Sequence, residues 1–198
     1  MSWDARWVMT KVPEGPGKAL DLGGGTGVLH EPLRQRGFEY INLDIAPDGP
    51  GSVVGDAHDM PFPDRTFDFV VSKDSLVSFR EPLVALKEAH RVLKPGGTLV
   101  IWTPFLHPFA GYDYFRFTPR GLDDLLAKAR FERLSIDAPL GVFTVLVVLV
   151  GVALARIRLG ALIPRVRALG GWLDQRLAGL QPGLSCAHSY LVVARKAS

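Results

Sequence analysis

Asp21, Asp44 and Asp56 each stand where an apolar run ends, and glycines follow the first of them. Ala19-Leu20-Asp21-Leu22 runs directly into Gly23-Gly24-Gly25-Thr26-Gly27. Glycines at 23, 25 and 27 permit positive φ and let a ligand lie against bare backbone. The spacing is G-x-G-x-G rather than G-x-G-x-x-G, because Val28 occupies the place of the third glycine. Asp44 follows Asp21 by 23 residues, close to the ~20-residue interval expected of an acid that reaches ribose hydroxyls. A carboxylate at Asp56 can accept a hydrogen bond from an exocyclic amine. The chemistry outlined is that of holding a nucleoside.

The elements that must position these groups follow from pattern. Residues 1–17 end in Pro13-Glu14-Gly15-Pro16-Gly17 and read as loop. Strands are expected at 18–22, 39–43, 52–54, 67–71, 98–103, 131–137 and 188–195. Helices are expected at 26–36, stopped by Gly37, and at 81–93. Lys94-Pro95-Gly96-Gly97 reads as a turn. Another helix runs from Pro119 to about residue 130, with Thr118 as N-cap and Pro119 in the first position. Strands alternating with helices predict an α/β fold with a parallel, doubly wound sheet. In such sheets ligands bind beyond the carboxyl ends of the strands, where all three acids fall.

Composition narrows the classes. A chain of 198 residues with 47% hydrophobic and 22% charged residues suffices for one domain with a real core. Cys186 is the single cysteine, which excludes an internal disulfide and every multi-cysteine metal motif. Met1-Ser2-Trp3-Asp4-Ala5-Arg6 lacks the apolar region of a signal peptide, so a cytoplasmic setting is expected. His30, His58, His90, His107 and His188 show no metal-ligand spacing. The net charge of +3 divides unevenly, with +6 over residues 139–198 and −3 over the remainder. No aromatic residues interleave with those arginines as a single-strand nucleic-acid binder requires, and no nucleic acid is expected.

Five stretches in order resemble the class I S-adenosylmethionine (SAM) methyltransferases, and among them the methyltransferase type 11 group. They are Asp21-x-Gly23-x-Gly25-x-Gly27, Asn42-Leu43-Asp44, Gly55-Asp56-Ala57-His58, Phe67-Asp68-Phe69-Val70-Val71-Ser72 and Arg91-Val92-Leu93-Lys94-Pro95-Gly96-Gly97-Thr98-Leu99. The resemblance covers about residues 18–137. It implies a Rossmann-like sheet of seven strands, mostly parallel with the last antiparallel, and SAM as cofactor. It also implies that the backbone at Asp21, Gly23, Gly24, Gly25 and Gly27 faces the methionine part and ribose. Asp44, with Ile45, takes the ribose diol; Asp56 and Ala57 border the adenine; the chain around Ser72 lies near the methionine amino group. The chemistry is displacement at a sulfonium methyl, which needs alignment and exclusion of water but no metal.

The stretch from Thr103 to Thr118 is too polar at its key positions and too aromatic for a plain connector. It looks like the His-Pro … Asp-Tyr-x-Arg-Phe-Thr-Pro segment of methyltransferases associated with bacterial glycan and cell-surface biosynthesis. On that likeness His107 is the candidate base for a hydroxyl nucleophile, and Tyr112, Asp113 and Arg116 line the acceptor pocket. The alternative is that Asp113 and Arg116 pair to brace the loop while the aromatics pack.

Residues 138–184, between the sixth and seventh strands, form a helical insert within a single methyltransferase domain, 1–198. Residues 138–155 carry no charge, at the lower limit for a bilayer span of ~20 residues. A span is disfavoured, because the chain must return to place its last strand. Leu162, Val166, Leu169, Leu173, Leu177 and Leu180 fall on one stripe flanked by Arg165 and Arg176, although Gly170-Gly171 weakens that helix. Peripheral contact with the inner membrane face, a lid and a homodimer surface all stay open. The leading function is methyl transfer to a small or lipid-linked acceptor at oxygen, in glycan, cell-surface or secondary-metabolite biosynthesis. The alternatives are C-methylation of an isoprenoid quinone or polyketide, and a SAM-binding scaffold without turnover.

Overall fold

The computed structural model describes residues 3–108, 112–156, 160–176 and 187–197. Seven strands form one sheet: β1 (Gly17–Leu22), β2 (Phe38–Asp44), β3 (Ser52–Val54), β4 (Phe67–Lys73), β5 (Leu93–Pro104), β6 (Phe131–Leu140) and β7 (Ser189–Lys196). Their order is β3-β2-β1-β4-β5-β7-β6. The pairs from β3 through β5 are parallel, and β7 runs antiparallel to both β5 and β6. Strand order reverses between β1 and β4, so the crevice lies beyond their carboxyl ends.

Helices cover both faces. α3 (Pro82–Val92) and α4 (Pro119–Lys128) pack on one, where Ala85, Leu86, Leu122 and Leu126 meet Leu20, Val70, Leu99 and Ile101. α1 (Trp3–Met9) and α2 (His30–Gln35) cover the other, where Ala5, Val8 and Leu33 meet Ala19, Phe69, Val71 and Trp102. Thr118 caps α4 as expected, its hydroxyl oxygen accepting from Gly121 N at 3.1 Å. α5 (Val142–Arg156) and α6 (Ile163–Arg176) form a hairpin after β6.

Three local differences have physical causes. α1 lies where loop was expected, and its signal is the helical spacing of the buried Ala5, Val8, Met9 and Val12. The first expected helix begins only at His30, because Gly27 has φ +71°, outside the right-handed region. The Lys94–Gly97 turn is looped out within β5, since Phe67 pairs with Leu93 but Phe69 with Thr98. The glycine pair in α6 does not break it. A Cβ at Gly170 would lie 2.7 Å from Val147 Cγ2, so its bareness lets α5 approach. Leu177, Leu180 and Cys186 lie outside the described residues.

Candidate active site

Asp21 is buried at the end of β1. One carboxylate oxygen accepts from Tyr40 Oη at 2.8 Å. The other, Oδ1, has no hydrogen-bond donor among the described residues. Burial pushes this carboxyl up to about 6, against the hydrogen bond from Tyr40. An orphaned buried carboxylate oxygen at the base of a glycine turn fits a cationic ligand.

The turn above it is bare by necessity. Gly23, Gly25 and Gly27 have φ of +72°, +51° and +71°. A Cβ at Gly24 would lie 2.6 Å from side-chain oxygens of both Asp21 and Asn42. A Cβ at Gly25 would meet no protein atom within 4 Å, so on that side the turn opens as a cradle.

Asp44 and Asn42 of β2 hold the cradle's shape. The Asp44 carboxylate accepts from Gly25 N and Ala46 N, each at 3.0 Å. Asn42 Nδ2 donates to Gly25 O at 2.9 Å. Two backbone amides leave the Asp44 carboxylate with acceptor capacity for a diol. Ile45 beside it is 76% exposed, an apolar surface on the cradle's rim.

Beyond β3, Asp56 Oδ1 accepts from His58 N at 2.9 Å and from the His58 ring. These bonds, the backbone one first, hold its carboxyl below the usual range. His58 Nε2 accepts from Glu81 N at 3.1 Å, which assigns the ring proton to Nδ1 and fastens this loop to the start of α3. Ala57 is buried. Ser72 is also buried, and its hydroxyl bonds Ser75 Oγ at 2.7 Å. Ser75, not singled out in the sequence, is the residue that faces the glycine turn. Its hydroxyl donates to Leu22 O, and its Cβ lies 2.4 Å from where a Cβ on Gly23 would be.

A second chamber of about 200 Å³ lies beside the cradle, over Trp102, beyond the ends of β4 and β5. Asp74, one residue before Ser75, lines it together with Asp4 and His188. Asp74 is held at φ +60°, a conformation costly for a residue with a side chain. Lys73 bridges Asp4 and Asp74 at 2.6 and 2.5 Å. Burial pushes the Asp74 carboxyl up, against the pull of Lys73.

His107 enters the chamber from the end of β5, with Asp113 and Arg116 behind it. Its Nδ1 lies 2.8 Å from Pro108 O. A carbonyl only accepts, so Nδ1 carries the proton and Nε2 is the basic atom of the neutral ring. Its ring stands edge-on to His188, centroids 4.8 Å apart. Arg116 Nη2 donates to Asp113 at 2.5 Å and to His107 O at 3.3 Å. The ion pair therefore braces the loop, as one of the two alternatives has it, and holds the His107 backbone; both residues also line the chamber. Tyr112 is 79% exposed and is not among the residues lining the chamber. His188 was read only as the start of a strand. Its place follows from β7 pairing antiparallel to β5, which no local spacing reveals.

An open α/β sheet with a glycine cradle and two strand-end acids defines a Rossmann-like cofactor-binding domain. Residues 20–101 match the family model Methyltransf_11, a methyltransferase domain, and over that stretch the chain is similar to the class I, SAM-dependent methyltransferases. A demethylmenaquinone methyltransferase from Renibacterium salmoninarum is 36% identical over 126 residues, 56% of this chain and 52% of that protein. The 2-methyl-6-phytyl-1,4-hydroquinone methyltransferase 1 of Oryza sativa subsp. japonica is 34% identical over 107 residues, 46% of this chain and 32% of that protein. The chain thus spans about half or less of the length of these relatives. Phosphoethanolamine N-methyltransferase 2 from Haemonchus contortus, solved with S-adenosyl-L-methionine, shares the fold at TM-score 0.67 and 15% identity, over 100% of this chain and 53% of that one.

Proposed function

We propose that the protein is a SAM-dependent methyltransferase acting on a ring carbon of a quinol-type acceptor that carries a lipid chain. The observation that carries this reading is the orphaned buried acid beneath an open glycine cradle. Ser75 packs against the glycine turn while Asp74, its neighbour, lines the chamber. The residues fit the cofactor: Asp21 Oδ1 awaits a donor, Gly25 opens onto empty space, and Asp44 retains acceptor capacity. Asp44 holds the ribose diol, Asp56 and Ala57 border the base, and the glycine turn carries the methionine part. Bound there, SAM supplies a methyl group on a cationic sulfur.

In the chamber, His107 Nε2 takes the acceptor's hydroxyl proton, which raises electron density on the neighbouring ring carbon; that carbon would take the methyl as the methyl's bond to sulfur breaks to leave a neutral thioether, and the carbon's own hydrogen would then leave as a proton, restoring the aromatic hydroxyl ring. Asp113 and Arg116 position His107. Trp102 and the flanking Pro104 and Pro108 give the chamber an apolar wall for the acceptor ring. The names of the two relatives favour carbon over oxygen as the methylated atom, since both acceptors are quinone-type rings.

Incubation with methyl-labelled SAM and a demethylmenaquinol bearing a short prenyl chain tests the reading. Label on the ring carbon is the expected result. Label on a hydroxyl oxygen would return the assignment to O-methylation. SAM binding without label in any quinol or phenolic acceptor would overturn the acceptor class.

A further inference from the structure

From the α5–α6 hairpin we infer that its outer face docks on an anionic lipid bilayer and holds the acceptor chamber at the membrane surface. α5 packs chiefly on α6, and α6 in turn rests on β6, so α5 is the outermost layer. An outermost helix of a water-exposed domain is ordinarily polar on its free side. This one contains no charged residue before Arg156. It buries Thr144, Val148 and Gly151 and exposes Leu146, Leu149 and Val150. α6 adds Leu169 and Trp172, each 53% exposed.

Charge selects the occupant. Asp174 is the only acid in residues 139–198, and it is buried. Its carboxylate accepts from the amides of Gly141, Phe143 and Thr144 and from the Thr144 hydroxyl, at the start of α5. No other acid in this segment offsets the exposed Arg165 and Arg176. Arg176 lies over the Trp172 ring at 5.8 Å, the pairing of an amphipathic aromatic with a cation that suits a headgroup layer. A second copy of the chain would set the exposed Arg165 and Arg176 against arginines of the same sign, whereas anionic headgroups complement the surface. At about 1.5 Å per residue, 15 residues of α5 reach about 22 Å, short of a ~30 Å hydrocarbon core. Among the described residues no helix is long and apolar enough to cross a membrane. The hairpin therefore lies in the interface.

The root of the hairpin adjoins the chamber. Leu140, two residues before α5, pairs with Ser189 and accepts from His188 N at 2.8 Å. Both His188 and Ser189 line the chamber. Docking would thus bring an acceptor dissolved in the bilayer to the ring site. Only this last statement rests on the methyl-transfer reading; the docking stands on the hairpin alone.

The test is co-sedimentation of the full chain with vesicles of phosphatidylcholine containing about a quarter phosphatidylglycerol, and with pure phosphatidylcholine. SAM affinity and light-scattering mass are measured on the same samples. The anionic vesicles should retain the protein, less so as salt rises. Leu146→Glu/Leu149→Glu should weaken binding by about tenfold or more with SAM affinity unchanged. Arg165→Glu/Arg176→Glu, on the other helix, should remove the preference for anionic vesicles. Absence of binding to either vesicle overturns the inference. So does a solution dimer that the leucine variant converts to monomer, since a second copy would then cover the face. Loss of SAM binding in the unaltered chain would instead strike the methyl-transfer reading and leave the docking result intact.

Discussion

The cradle and the chamber, linked through Ser75 and Asp74, are built by opposite means. The cradle is made of backbone: a glycine turn fixed by Asp44, Asn42 and Ser75, with Asp21 beneath it. The chamber is made of side chains from five separate segments, held by ion pairs among Asp4, Lys73 and Asp74 and between Asp113 and Arg116. A backbone site presents one geometry whatever surrounds it, which suits a cofactor common to many reactions. A side-chain site changes with each substitution, which suits an acceptor that differs from enzyme to enzyme. If this division holds, substitutions in one region leave the function of the other intact.

The largest effect is expected at the chamber. His107→Ala should lower kcat by about 10²–10⁴ and leave SAM affinity unchanged in calorimetric titration. A parallel loss of SAM affinity would show that the two regions are not separable. The converse experiment is Asp44→Ala. It removes a charged acceptor from Gly25 N and from the cofactor's diol, so SAM affinity should fall about a hundredfold, on the order of 3 kcal/mol. Retained affinity would remove Asp44 from the site.

Asp21 sharpens the comparison through pH. Its carboxyl is raised from 3.8 to about 6 by burial. A raised acid favours the fold fully below its unfolded value and loses that contribution as pH rises through the folded one. The ligand-free protein therefore weakens between about pH 4 and 6 on account of Asp21, by on the order of 3 kcal/mol. In urea titrations at pH 5 and pH 8, Asp21→Asn should stabilise the free protein at the higher pH and flatten the dependence. The same variant should bind SAM less well at pH 8 if the orphaned Asp21 Oδ1 pairs with a cationic group of the cofactor. A variant both less stable and weaker in binding would mean that the buried charge serves the fold rather than the ligand.

These contrasts also explain what could be read in advance. The cradle was legible because its parts are sequential: an apolar run, an acid and glycines that need positive φ, followed 23 residues later by Asp44, whose carboxylate holds the turn. The alternation of strands with helices likewise specified a doubly wound sheet. Ser75 was missed because a serine two residues beyond a strand carries no local signal, and its contact with the turn arises only when β4 lies beside β1. The same holds for Asp4, Asp74 and His188. They come from the N-terminal helix, a strand end and the return strand, and meet because β7 runs back between β5 and β6. The pairing of Asp113 with Arg116 was legible because the two stand three residues apart with opposite charges.

Arg116 sets the smallest and most specific prediction. Its Nη2 serves Asp113 and the His107 carbonyl together. Arg116→Lys keeps the charge opposite Asp113 but gives up the rigid plane that sets the direction of Nη2 toward both acceptors. The ion pair should survive, so the midpoint of thermal unfolding should stay within about 2 °C. The orientation of His107 should not survive intact, and kcat should fall about fivefold, about 1 kcal/mol, with SAM affinity unaltered. The readout that separates positioning from mere bracing is Arg116→Lys made in the His107→Ala background. If Arg116 acts by holding the histidine in place, the second substitution adds no further loss of kcat there. If Arg116 only ties the loop, the two losses multiply.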